Sequence, residues 1–101
     1  VELIRRGYKP GQTLFYYRSR NNKEVDFVCR KGAQVDQLIQ VSYDVNNPRV
    51  LKREISALLE CSGELHCNKL LLLTWDKEIT IEQERQTIQV IPVWKWMTEE
   101  K

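Results

Sequence analysis

Two carboxylates stand two residues apart in the stretch Lys23-Glu24-Val25-Asp26-Phe27-Val28-Cys29. In an extended chain, side chains at i and i+2 point to the same face. Glu24 and Asp26 therefore share one side with Val28, and Val25, Phe27 and Cys29 share the other. Two carboxylates on one face are what a hard divalent cation binds. The plainer alternative is a solvated strand face, its acids paired with Arg18 or Arg20 across a hairpin. A second stretch, Leu38-Ile39-Gln40-Val41-Ser42, puts Gln40 and Ser42 on one face. From there they can meet Glu24 and Asp26 across a sheet.

Other residue groups carry weaker signals. Cys61, His66 and Cys67, with Cys29, contain the atoms of a zinc site. His66 and Cys67 are adjacent, however, and side chains at adjacent extended positions point apart, so unligated thiols are the preferred reading. Trp94 and Trp96 have rings that can stack on bases; the commoner use is to cover a sheet or to dock on a neighbouring domain. Trp75-Asp76 ends an apolar run where α/β sites often lie, and a packed Trp with a capping Asp is the simpler account. Arg5, Arg6, Lys9, Arg18, Arg20, Arg30 and Lys31 crowd the first third. They can contact phosphates, although a solvated basic face explains them equally.

These groups need a scaffold. The 101 residues suit one domain with a modest core, and 42% hydrophobic with 30% charged residues is an ordinary globular mixture. A net charge of +2 does not by itself argue for nucleic acid. Three cysteines without a secretory signal predict reduced thiols and a cytoplasmic location. No apolar run approaches the ~18 residues that span a bilayer; Leu70 to Leu73 reads as a core strand. The chain has no initiating Met and opens in what reads as the last turns of a helix, residues 1–8. A fragment of a longer protein is expected.

The elements follow from local pattern. Lys9-Pro10-Gly11 breaks the opening helix. Thr13 to Arg18, aromatic and branched, reads as a strand. Asn21-Asn22 is a tight turn, because Asn tolerates positive φ. The 23–29 strand follows, Lys31-Gly32 turns the chain, and Leu38 to Tyr43 is a third strand. Asn47 caps a helix with Pro48 at its first position. Leu51, Ile55, Leu58 and Leu59 make its apolar stripe, and Ser62-Gly63 ends it with a left-handed glycine. Lys69 to Trp75 lacks alternation, as in a strand covered on both faces. The crossover helix makes this strand parallel to the third. Ile79 to Ile81 forms a short edge strand, Glu82 to Arg85 a polar turn, and Ile88 to Pro92 a last strand before a short helix or turn at 93–97. The class is α/β: an antiparallel three-strand meander, a crossover helix, then parallel or mixed strands.

This order, with an acid on the second strand and polar residues two apart on the third, resembles the restriction-endonuclease-like fold of PD-(D/E)XK nucleases. In that superfamily an Asp on the second strand and a Glu on the third bind Mg²⁺, and a Lys two residues further on contacts the attacking water. The resemblance places Asp26 at the Asp position, Gln40 at the Glu and Ser42 at the Lys. It makes Asp26, Gln40 and Ser42 the candidate catalytic set and Glu24, Asp26 and Gln40 the candidate Mg²⁺ ligands. Glu-Val-Asp-Phe-Val, Leu-Ile-Gln-Val-Ser-Tyr-Asp, Leu-Leu-Thr-Trp-Asp and Val-Ile-Pro-Val-Trp-Lys-Trp together resemble the C-terminal domain of a family of prokaryotic AAA+ ATPases. That domain has no settled function. The likeness runs from about Gly11 to Met97 and implies that an ATP site lies outside these residues, which contain no phosphate loop.

The departures from the pattern bear on activity. A Gln carbonyl is a weaker ligand than a carboxylate, and a Ser hydroxyl cannot stabilise developing negative charge as an ammonium does. The site is expected to be degenerate, in an accessory domain that binds nucleic acid or a protein partner. Two alternatives stay open: an active nuclease whose lysine has moved to Lys23, Lys31 or Lys69, and a pure protein-interaction module.

Overall fold

The structure, a computed structural model, describes residues 2–9, 14–42 and 46–98. The elements are α1 (Glu2–Arg5), β1 (Leu14–Arg18), β2 (Glu24–Lys31), β3 (Gln34–Val41), α2 (Pro48–Leu65), β4 (Leu70–Thr74), β5 (Ile79–Gln83), β6 (Gln86–Pro92) and α3 (Val93–Thr98). Six strands form one mixed sheet in the order β1-β2-β3-β4-β6-β5. β1, β2 and β3 are the antiparallel meander, and β3 and β4 are parallel across the α2 crossover. β4 also runs parallel to β6, which pairs antiparallel with β5. All five residues of β4 are buried, as its unbroken apolar sequence requires.

The sheet divides the core into two layers. On one face α2 packs Ile55, Leu58 and Cys61 against Val25, Val28, Leu38, Leu70, Leu72, Ile88 and Val90. On the other, Leu3, Tyr8 and Trp96 pack against Cys29, Ile39, Leu71 and Leu73. Alternate residues of β4 thus feed opposite layers. Arg6 ties the chain ends together: it pairs with Glu2 at 2.6 Å and stacks over the Trp96 ring at 4.3 Å.

Several boundaries differ from the sequence reading. α1 ends at Arg5, and Tyr8 lies beyond it, its N–H donating to Leu3 O. Pro10, Gly11 and Tyr43 lie outside the described residues. α2 continues through Gly63 to Leu65, and the left-handed cap is His66, at φ 55° and ψ 46°. Two bonds hold that non-glycine cap: Cys67 N–H donates to Ser62 O, and Ser62 Oγ donates to Cys67 O at 2.5 Å. At the helix start Asn47 does cap, accepting from Arg49 N–H at 3.0 Å. Glu82 and Gln83 belong to β5, and the turn is Glu84-Arg85, both at positive φ. A two-residue turn of that kind matches the twist of a hairpin.

Candidate functional site

The β2–β3 ladder runs from Lys31 opposite Gln34 to Phe27 opposite Ile39, and the pairing stops there. Past that point side chains replace main-chain pairing. Asp26 N–H donates to Gln40 Oε1 at 2.8 Å, and Gln40 Nε2 donates to Glu24 O at 2.7 Å. Val41 N–H donates to Asp26 Oδ2 at 2.9 Å. Gln40 is 2% exposed. Its amide offers a donor and an acceptor side by side, as a peptide group does, so it fastens β2 to β3 where their backbones part.

A bulge explains why the strands part here. Phe15 faces Val28 and Tyr17 faces Val25, so β2 places two residues, Asp26 and Phe27, opposite Tyr16 alone. A bulge bends its strand and re-aims the side chains on it. Val25 and Val28 consequently both enter the α2 side of the core. This corrects the expected alternation, which put Val25 and Val28 on opposite faces. A bulge of one residue has no fixed composition, and neither Asp26 nor Phe27 announces it.

The gap opens into a cleft of about 460 Å³ lined by Glu24, Asp26, Gln40, Arg53, Glu54 and Lys23, among others. The structure therefore brings Glu24, Asp26 and Gln40 to one place. The carboxylates are otherwise engaged, however. Glu24 pairs with Arg18 at 3.3 Å across the hairpin, both side chains half exposed. Asp26 holds Val41 N–H. Ser42 sits just past the end of β3, buried, with its N–H donating to Leu73 O at 2.9 Å. It is not among the described residues that line the cleft. Lys23 lines the same cleft, and its charge acts on Glu60.

Glu54 was not anticipated. It reaches the cleft from the second turn of α2, with Gln40 Nε2 at 3.4 Å from its Oε1. Burial pushes its carboxyl above the usual range; the nearby Asp26 charge adds to that shift, and Arg53 and Gln40 oppose it. The signal in sequence was slight: Glu54 flanks the apolar stripe beside Ile55 and is oriented by the crossover. Among the described residues no three His, Cys, Asp or Glu side chains gather within reach of one ion. The Gln40 carbonyl already accepts from Asp26 N–H. Mg²⁺ is ordinarily held by one or two carboxylates and several waters, and here the Gln40 and Asp26 oxygens accept from the Asp26 and Val41 N–H groups.

The cysteines form no cluster. Cys29, Cys61 and Cys67 are all buried. Burial lifts the Cys61 thiol to about 11 and raises that of Cys67, which leaves both as unreactive thiols at neutral pH. His66 serves as the helix cap. Trp96 is core, whereas Trp75 and Trp94 lie mostly in solvent. No described helix is long and apolar enough to cross a membrane.

Comparison with known proteins gives two findings. The model of a domain of unknown function, DUF4143, matches residues 1–96. An uncharacterized protein of Methanocaldococcus jannaschii, MJ1544, is 34% identical over 102 residues, which cover 95% of this chain. The chain spans 22% of that relative's length. No solved structure matches significantly.

Proposed function

The chain belongs to the DUF4143 family, and from the geometry of its cleft we propose that it is a non-cleaving, nuclease-like accessory domain of a longer ATPase. In this reading the sheet is restriction-endonuclease-like, and its cutting site has become a fastening between strands. One observation carries the proposal. Where the resemblance puts a metal-binding Glu, Gln40 commits its amide oxygen and nitrogen to the backbone of β2. The buried Ser42 stands where the resemblance puts a lysine.

Binding is what remains, and the chemistry of α2 favours nucleic acid. Its first turns carry Arg49, Lys52 and Arg53, all exposed, and its first turn has no acid. Three cations at the positive end of a helix dipole oppose local stability. They suit a surface that meets phosphate.

Two measurements test this. Supercoiled plasmid incubated with the protein and Mg²⁺ or Mn²⁺ should stay intact, with wild type and Asp26→Ala alike; metal-dependent cutting lost in the variant makes it an active nuclease. DNA affinity should fall steeply between two salt concentrations, because phosphate contacts release counterions. Absence of binding at low salt leaves a protein-interaction module instead.

A further inference from the structure

Among the described residues nothing pairs with the outer side of β5. Its hairpin with β6 fixes which main-chain groups that side presents. Glu84 and Arg85, both at positive φ, make a two-residue turn, so Gln83 and Gln86 flank it as a hydrogen-bonded pair. Bonded and non-bonded pairs alternate along an antiparallel ladder. Ile79, Ile81 and Gln83 therefore turn their N–H and C=O groups to β6, and Thr80 and Glu82 turn theirs outward. Proteins commonly guard such an edge with lysine, proline or a bulge. The opposite edge, β1, has a broken register and carries Arg18. β5 pairs in unbroken register and holds no lysine, arginine or proline.

The side chains make this edge two-sided. Ile79 and Ile81 stand opposite Val90 and Ile88, which belong to the core beneath α2. They share that face; Ile81 packs on the core and Ile79 is 38% exposed. On the same side a groove of about 680 Å³ is lined by Leu51, Ile55 and Leu59 of α2 and by Gln83 and Glu84 of the hairpin. Its other charges, Lys52 and Glu60, cancel. Thr80 and Glu82 lie on the far face. Glu82 and Glu84 make no ion pair among the described residues, whereas Glu78 is paired with Lys95.

Charge selects the occupant. Two copies joined antiparallel through β5 set glutamate opposite glutamate in each register centred on the outward groups. Glu82 faces Glu78 when Thr80 is central, Glu84 faces Glu78 when Ile81 is, and Glu82 faces itself when it is the centre. Like charges directly opposite destabilise a sheet, and opposite charges stabilise it. We propose that β5 is a strand-addition site for an extended segment of a partner protein that alternates apolar with basic side chains. Its main chain pairs with Thr80 and Glu82, the usual source of affinity in strand addition. Its basic side chains share the face of Glu82. Its apolar ones lie beside Ile79 and Ile81, with the groove under α2 to receive a larger one. This holds whether or not the cleft at Gln40 binds nucleic acid.

The probe is a fluorescein-labelled peptide of alternating valine and lysine, about eight residues long, an ordinary strand length. Binding to the complete gene product is read by anisotropy, and hydrogen exchange is followed at the Thr80 and Glu82 amides. The peptide should bind and slow exchange at both amides. A valine–glutamate peptide should bind severalfold more weakly. So should the lysine peptide N-methylated at its lysines, which keeps its charge but cannot donate to β5. Glu82→Lys, a surface change, should weaken the lysine peptide and strengthen the glutamate one. Thr80→Pro removes one outward N–H and spares the β6 ladder; it should weaken both. Absence of binding, equal binding of the methylated peptide, or binding without slowed exchange overturns the proposal. So do amides protected before any peptide is added: protection that grows with protein concentration assigns the edge to a second copy, and protection that does not assigns it to the protein's own chain.

Discussion

Gln40 decides what the cleft can do, because a buried amide bonded at both ends is costly to change. Gln40→Leu would remove both part-buried bonds, to Asp26 N–H and to Glu24 C=O. At about 0.5–1.5 kcal/mol for each hydrogen bond, a total loss of about 1–3 kcal/mol in urea unfolding is expected. Gln40→Glu restores the acid that the nuclease resemblance calls for, but it removes the donor to Glu24 O and sets a negative charge between Asp26 and Glu54. The variant should be less stable than wild type at pH 7 and should recover as pH falls; a variant as stable as wild type at pH 7 would contradict the fastening. Glu54 gives the complementary test. Its folded-state pKa is raised, so its ionised form opposes folding once pH exceeds the ordinary carboxylate range. Glu54→Gln should stabilise the protein at pH 7, and the gain should vanish near pH 4, where the carboxyl is protonated folded or unfolded. A gain that does not depend on pH would assign the effect to packing.

At the scale of elements, α2 sets the position of both Glu54 and the basic surface, and its C-terminus is where pattern and structure part. Glycine commonly ends a helix, yet Gly63 sits inside this one, exposed, with open space where a Cβ would be. Gly63→Ala should therefore raise stability by about 1 kcal/mol, the difference in helix propensity. If Gly63 were the left-handed cap, alanine would instead destabilise, so the sign of the change in thermal midpoint decides the matter. His66 holds the strained position because its neighbour Cys67 is 5% exposed and tied to Ser62. Tertiary anchoring of the following residue outweighs the roughly 1–2 kcal/mol that a non-glycine left-handed conformation costs.

Over the whole molecule, burial is graded from the middle of the sheet to its edges. β4 is covered on both faces and flanked by parallel neighbours, whereas β5 is exposed at four of its five positions. Native-state hydrogen exchange should be slowest for Leu70 to Leu73 and fast along the unpaired side of β5. Uniform protection across the sheet would mean that the edges are covered in solution. The chain's radius of gyration, 12.9 Å, is that of a well-packed 100-residue domain.

The order of strands and helices was legible because each element carries its own local signal. Asn47-Pro48 marks a start, the stripe of Leu51, Ile55 and Leu58 marks a buried helical face, and the four leucines mark a strand covered twice. A helix between strands also leaves only one easy way to continue the sheet, so the parallel pairing of β3 and β4 followed from pattern alone. That Asp26 and Gln40 would be neighbours was legible for the same reason. What they do to each other was not. The bulge at Asp26-Phe27, the side-chain bonds that replace the ladder, and the arrival of Glu54 from α2 all depend on where one strand bends relative to the next. That bend is set by packing among residues distant in sequence, which no local periodicity records.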